Sequence, residues 1–166
     1  MTAQRQESYR FRLGSALFAT ALALSLGTFC RVEAATTQRV VVDRSTGLAV
    51  SGFDPVAYFT DHEPRPGDPE FELTLEGVVW RFCNASNRSF FAERPDVYAP
   101  QFGGYDPVAV ARGVPLAGNA LVWIVVGQRL YLFDRDETRT AFASDPERYI
   151  ERAKAAWPKL QQTLAE

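Results

Sequence analysis

Gly52-Phe53-Asp54-Pro55-Val56-Ala57 returns 52 positions later as Gly104-Tyr105-Asp106-Pro107-Val108-Ala109. A second block follows at an offset of 51, where Phe82, Arg88, Phe91, Ala92, Pro95 and Tyr98 recur as Phe133, Arg139, Phe142, Ala143, Pro146 and Tyr149, and aromatic Trp80 returns as Tyr131. Chance would give about one identity over such a stretch, so two blocks recurring in the same order imply a duplicated supersecondary unit. Units of roughly 50 residues bury too little surface to be stable alone, so the two are expected to share one core.

The duplicated pieces also indicate their own secondary structure. Asp54 and Asp106 each precede a proline and a short apolar run, the pattern of a capping carboxylate followed by proline at the first helical position, so each unit is expected to open with a short helix. Phe71 to Leu75 and Val78 to Phe82 flank Glu76-Gly77 as a hairpin; Leu121 to Val126 and Arg129 to Phe133 flank Gly127-Gln128, which predicts a type II′ turn. A helix follows each hairpin, capped by Asn84 in the first unit and by Asp134 or Asp136 in the second, and each stops before a proline, Pro95 or Pro146. The last helix should run from Pro146 through Trp157 and end at Pro158. Ahead of the units, Arg39 to Asp43 and Leu48 to Ser51 read as strands around Ser45-Thr46-Gly47, and Pro64 to Pro69 as a loop. The expected class is α+β: two pseudo-repeated units of short helix, β-hairpin and helix.

The N-terminus reads as an address. Arg5, Arg10 and Arg12 precede an uncharged stretch from Leu13 to Cys30, and Val32-Glu33-Ala34 supplies small or aliphatic residues before a cleavage point, the layout of a secretory signal peptide. The organisation is then a signal peptide over 1–34, a strand segment over 35–51, a first unit over 52–103 and a second over 104–166 with the C-terminal helix. Cleavage would leave no stable membrane anchor and a periplasmic or secreted protein. The whole chain carries a net charge of −2. Residues 1–34 hold four arginines against two glutamates, so the mature form is more acidic and has no basic run, which argues against nucleic acid as a partner. It also keeps Cys83 as its one cysteine and so can form no intrachain disulfide.

The pieces Asp54-Pro55-Val56, Trp80-Arg81-Phe82-Cys83, Phe91 and Pro95-Asp96-Val97-Tyr98 resemble the YHS domain, and Asp106-Pro107-Val108, Tyr131-Leu132-Phe133, Phe142 and Pro146-Glu147-Arg148-Tyr149 resemble it a second time. The whole is similar to small exported bacterial proteins that contain YHS domains, through Gly52 to Phe59, Tyr98 to Tyr105 and Trp157-Pro158. The resemblance implies a small α+β domain, and in cysteine-bearing members a metal site. Here Ala57 and Ala109 stand where the first cysteine of that pattern would fall, Cys83 matches the second, Asn87 stands at the third, and the second unit offers Asp134 and Thr138. One thiolate is short of the three or four ligands that a soft-metal site needs.

Cys83 and the sole histidine, His62, are the candidate metal ligands, suited as a pair to copper, zinc or an axial haem position. Their plain readings are a small buried hydrophobe and a solvated loop residue. Arg88 and Arg139, with Tyr58 and Trp80, are candidates to line a ligand cleft between the units; the arginines could equally pair with acidic neighbours. Asp54 and Asp106 read as structural caps, and Asp134, Asp136 and Glu137 as helix-start acids. No nucleophile adjoins a histidine, and there is no phosphate-cradling loop or dinucleotide fingerprint. The expectation is an exported, non-catalytic module without a cofactor that binds a small ligand or an envelope protein. The alternatives are a metal-handling or haem-binding protein using Cys83 and His62, and a subunit that docks through an exposed apolar patch.

Overall fold

In the computed structural model the described residues are 39–164, so the expected signal peptide lies outside them. The fold is α+β. One order of elements runs twice: a tight turn at Val50–Gly52, α1 (Ala57–Thr60), β1 (Asp68–Leu75), β2 (Val78–Phe82), α2 (Ala85–Glu93) and α3 (Pro95–Tyr98); then a turn at Gln101–Gly104, α4 (Pro107–Val110), β3 (Asn119–Val126), β4 (Arg129–Phe133), α5 (Asp136–Ser144) and α6 (Pro146–Leu164). The hairpins match in register. Asp68 faces Phe82 and, after a bulge, Glu72 faces Arg81; Asn119 faces Phe133 and, after the same bulge, Trp123 faces Leu132. No helix among the described residues is long and apolar enough to cross a membrane.

Four local expectations are corrected. Gly127 and Gln128 both have positive φ, so their turn is type I′ rather than the expected II′, and Glu76 and Gly77, also both positive, form the same type; that turn's twist matches the right-handed twist of the flanking strands. Residues 39–43 and 48–51 form no extended strands. Val42 and Ala49 make one bridge and Leu48 another to the edge of β2 at Val79, while Asp43 Oδ1 accepts from the Ser45 and Thr46 N–H groups, each at 2.9 Å, and closes the loop. Helix α5 begins after Arg135 with no side-chain cap, because Arg135 stands where the first unit has Asn84, whose Oδ1 accepts from Asn87 N–H at 2.9 Å. Helix α6 runs through Pro158 to Leu164. A mid-helix proline costs about 3 kcal/mol in lost bonding and crowding, and burial of Leu160 beyond it, with Ala153 and Trp157 on the same stripe, offsets that cost.

Where one shared core is expected, the buried residues form two clusters, which meet across the second hairpin. The first gathers Val56, Tyr58, Trp80, Phe82 and Phe91 with Ala120, Leu130 and Leu132; the second gathers Phe102, Tyr105, Val108, Tyr131, Phe133, Phe142, Ala153 and Leu160. Alternation along β4 therefore sends Leu130 and Leu132 to one cluster and Tyr131 and Phe133 to the other, and all four are buried. Phe91 and Phe142 each pack against two aromatic rings of their own hairpin, Trp80 and Phe82 or Tyr131 and Phe133, at 4.7 to 5.2 Å between centroids. Truncating a ring so enclosed costs about 3–5 kcal/mol.

Candidate functional site

Asp106 caps α4 as expected, whereas Asp54 closes the turn ahead of α1, which begins at Ala57 after Val56 and has no side-chain cap; each carboxylate also does more. Asp54 Oδ1 accepts from Val56 N–H at 2.8 Å, while Oδ2 accepts from Cys83 N–H at 2.8 Å and from the Asn87 side-chain amide at 2.7 Å. Asp106 repeats the arrangement: Oδ1 accepts from Val108 N–H at 2.8 Å and Ala109 N–H at 3.3 Å, and Oδ2 from Asp134 N–H at 3.0 Å and the Thr138 hydroxyl at 2.6 Å. Both carboxylates are fully buried. A buried carboxylate is stable when its oxygens accept hydrogen bonds from fixed donors, as both oxygens of each aspartate do. Each aspartate instead fastens three places, the start of the unit, the end of its hairpin and the first turn of the next helix.

Cys83 and His62 lie in different surroundings. The Cys83 thiol approaches the Pro66 carbonyl at 3.5 Å beside Asp54, and burial together with that carboxylate pushes the thiol up to about 11. His62 is exposed and lines a groove to which Cys83 does not contribute. Among the described residues, no three His, Cys, Asp or Glu side chains group as metal ligands do.

The groove itself runs between the two units and encloses about 690 Å³. Its walls are Tyr58 and Phe59 of α1, Val97 and Tyr98 of α3, and Trp123, Ile124 and Val125 of β3, with His62 and Gln128 adding polar groups. Tyr58 packs edge-on against Trp123 at 5.2 Å and Phe59 edge-on against Tyr98 at 5.3 Å, so the aromatic walls brace each other. The Tyr58 hydroxyl donates to the Ala120 carbonyl at 2.9 Å; burial, then Asp54, drives its phenol pKa upward, so it stays a neutral donor to that carbonyl. Nearby, Arg129 Nη1 donates to the Asp96 carbonyl at 2.6 Å and ties β4 to α3.

Of the residues expected to line an inter-unit cleft, Tyr58 does so and three do not. Trp80 points the other way from its strand neighbour Arg81 and is buried against Phe91; its indole N–H is the one buried side-chain polar atom without a partner among the described residues. Arg139 is held by Asp136 at 2.8 Å in the first turn of α5, and Arg88 sits half-buried on α2, an element that gives the groove no wall. Sequence reasoning missed Val97, Tyr98 and Gln128 and left Phe59 and Trp123 as core aromatics by default, since the five come from three separate segments. A second groove of about 430 Å³ lies among Val40, Val41, Tyr105, Leu116 and Leu164. No protein-family model, curated protein or solved structure matches this chain.

Proposed function

We propose that this is an exported, non-catalytic binding module, a doubled YHS-like domain whose ligand site is the aromatic groove between its units. The observation that carries this reading is the groove's construction: the half-buried rings of Phe59, Tyr98 and Trp123, drawn from both units, converge on one concavity with the fully buried Tyr58 behind them. Its volume falls in the range of about 300–1,000 Å³ common for small-molecule sites. Support for the YHS-like relation comes from the Asp-Pro-Val segments, each tied to its hairpin end and next helix by the same carboxylate geometry. Support for a non-catalytic role comes from the carboxylates, whose oxygens are all engaged, and from a thiol held protonated.

The test is titration of the protein with indole, a neutral aromatic probe, followed by NMR shifts at Tyr58, Phe59, Tyr98 and Trp123. Saturable shifts at these four residues that vanish in a folded Trp123→Ala variant are the expected result. Indole that binds elsewhere, or equally well after Trp123→Ala, would remove the groove from consideration.

A further inference from the structure

Two polar side chains of the groove come from positions where the backbone calls for glycine. His62 has φ +56 and Gln128 has φ +57, the left-handed region in which side chains other than glycine are strained. The counterpart of Gln128 in the first hairpin turn is Gly77, with φ +78. The counterpart of His62 is Gly113, also at φ +78: each lies three residues before the carbonyl, of Arg65 or Leu116, that accepts the N–H of Asp54 or Asp106. A Cβ on Gly77 or Gly113 would meet nothing within 4 Å, so glycine answers there to φ alone. Each unit therefore shows what the other would carry if backbone comfort decided the residue.

Ser51 and Glu76 also replace glycines of the other unit, Gly103 and Gly127. The difference between Ser51 and Gly103 reports packing on the glycine's side, where a Cβ would run into the Arg39 carbonyl oxygen. Glu76 is an exposed charge at a turn tip. His62 and Gln128 differ from both: they are 66 positions apart in the chain and converge on one aromatic groove.

Resting on the reading of the groove as a ligand site, we propose that His62 and Gln128 are its polar recognition pair and that its ligand is an uncharged, flat heteroaromatic molecule presenting a hydrogen-bond donor and acceptor on one edge. Among the described residues the walls include no Asp, Glu, Lys or Arg, so a charged ligand would give up hydration with no counter-charge in the lining itself. Tyr98, Phe59 and Trp123 supply faces and edges for a ring, and the Tyr58 hydroxyl is already committed to Ala120. An imidazole and a carboxamide each offer both a donor and an acceptor, which suits a lactam-like edge and favours it over a bare hydrocarbon. Backbone strain held at a binding group fits a position selected for contact rather than for folding.

The experiment compares 2-quinolone, which has an N–H donor beside its carbonyl, with N-methyl-2-quinolone, which lacks the donor, and with anionic 2-naphthoate, in the wild-type chain and in a His62→Gly, Gln128→Gly double variant. The expected result is about tenfold tighter binding of 2-quinolone than of either control, a preference abolished in the double variant while indole still binds. The double variant should also melt no lower than the wild type, because glycine relieves both left-handed positions. A preference unchanged in the variant, absent from the wild type, or reversed toward 2-naphthoate overturns the pair, as does a lowered melting temperature, which would make the two residues structural. Loss of indole binding in the wild type itself would be the failure of the groove, and is read separately from the quinolone comparison.

Discussion

The hydroxyl of Tyr58 donates to the carbonyl of Ala120 at 2.9 Å, joining the first helix of one unit to the bulged start of the other unit's hairpin. The bond is fully buried and spans 62 positions of sequence. Tyr58→Phe keeps the ring against Trp123 and leaves the Ala120 carbonyl without this donor. The expected cost is about 1–3 kcal/mol in urea unfolding, the range for an unsatisfied buried polar group. A cost near zero would mean that the carbonyl finds another partner and that ring packing alone joins the units here.

The two carboxylate brackets predict a pattern that a simple cap would not. An N-cap aspartate replaced by asparagine keeps most of its capping ability, so the expected loss for a cap alone is a few tenths of a kcal/mol. At Asp54 the substitution puts an amide N–H₂ against the donors on Cys83 and Asn87, or turns it toward Val56 N–H. Asp54→Asn and Asp106→Asn should therefore each cost about 3 kcal/mol, since hydrogen bonds to charged groups contribute about 1.5–3 kcal/mol. Thr138→Val, which removes one donor from Asp106, should cost less than Asp106→Asn. Thermal melts of the three variants check the order.

Cys83 should be nearly inert in the folded chain. Its thiol is shifted from the model-peptide value of 9.0 to about 11 by burial and by Asp54, and the thiolate is the species that reacts. At pH 8 a shift of that size lowers the thiolate fraction about a hundredfold. Iodoacetamide modification at Cys83, resolved from Cys30 by mass spectrometry, should slow by that order relative to the chain in urea. The sign is fixed by the direction of the shift: the folded state holds the proton more tightly, so this contribution to stability is present below pH 9 and fades as pH rises toward about 11. Asp54→Asn should speed the native reaction by relieving the neighbouring negative charge. Native and unfolded rates that coincide would contradict the placement of this thiol.

Local chemistry was legible in the sequence and its long-range use was not. Glycines at the hairpin turns and alternation beside them gave both hairpins, and Asp54 and Asp106 were readable as local backbone acceptors because proline follows each, although only Asp106 caps its helix. Their second oxygens were not, because the donors lie 28 to 33 residues away and belong to another element. Trp80 and Tyr58 belong to the same buried cluster, yet strand alternation sets Trp80 beside Phe91 while Tyr58 packs against Trp123 at the back of the groove. Pro158 failed as a stop signal since Leu160 gives the helix something to bury past it. The identity of the groove's polar residues did leave a trace in the sequence: aligning the hairpin turns of the two units sets Gln128 against Gly77.

Burial of β4 on both faces makes a prediction about cooperativity. Leu130 and Leu132 complete the cluster that holds Trp80 and packs against Trp123, while Tyr131 and Phe133 complete the cluster against which Trp157 packs. The two clusters therefore cannot lose order independently without one face of the same strand losing its partner. Single-tryptophan variants keeping Trp123 or Trp157 should report the same urea midpoint. Leu130→Ala, a truncation inside the first cluster with an expected cost of about 2–5 kcal/mol, should move both midpoints equally, although Trp157 belongs to the other cluster. A Trp157 transition that stays in place while Trp123 shifts would show that the second unit holds its core alone, and that the shared strand is a boundary between two independent units rather than the element that couples them.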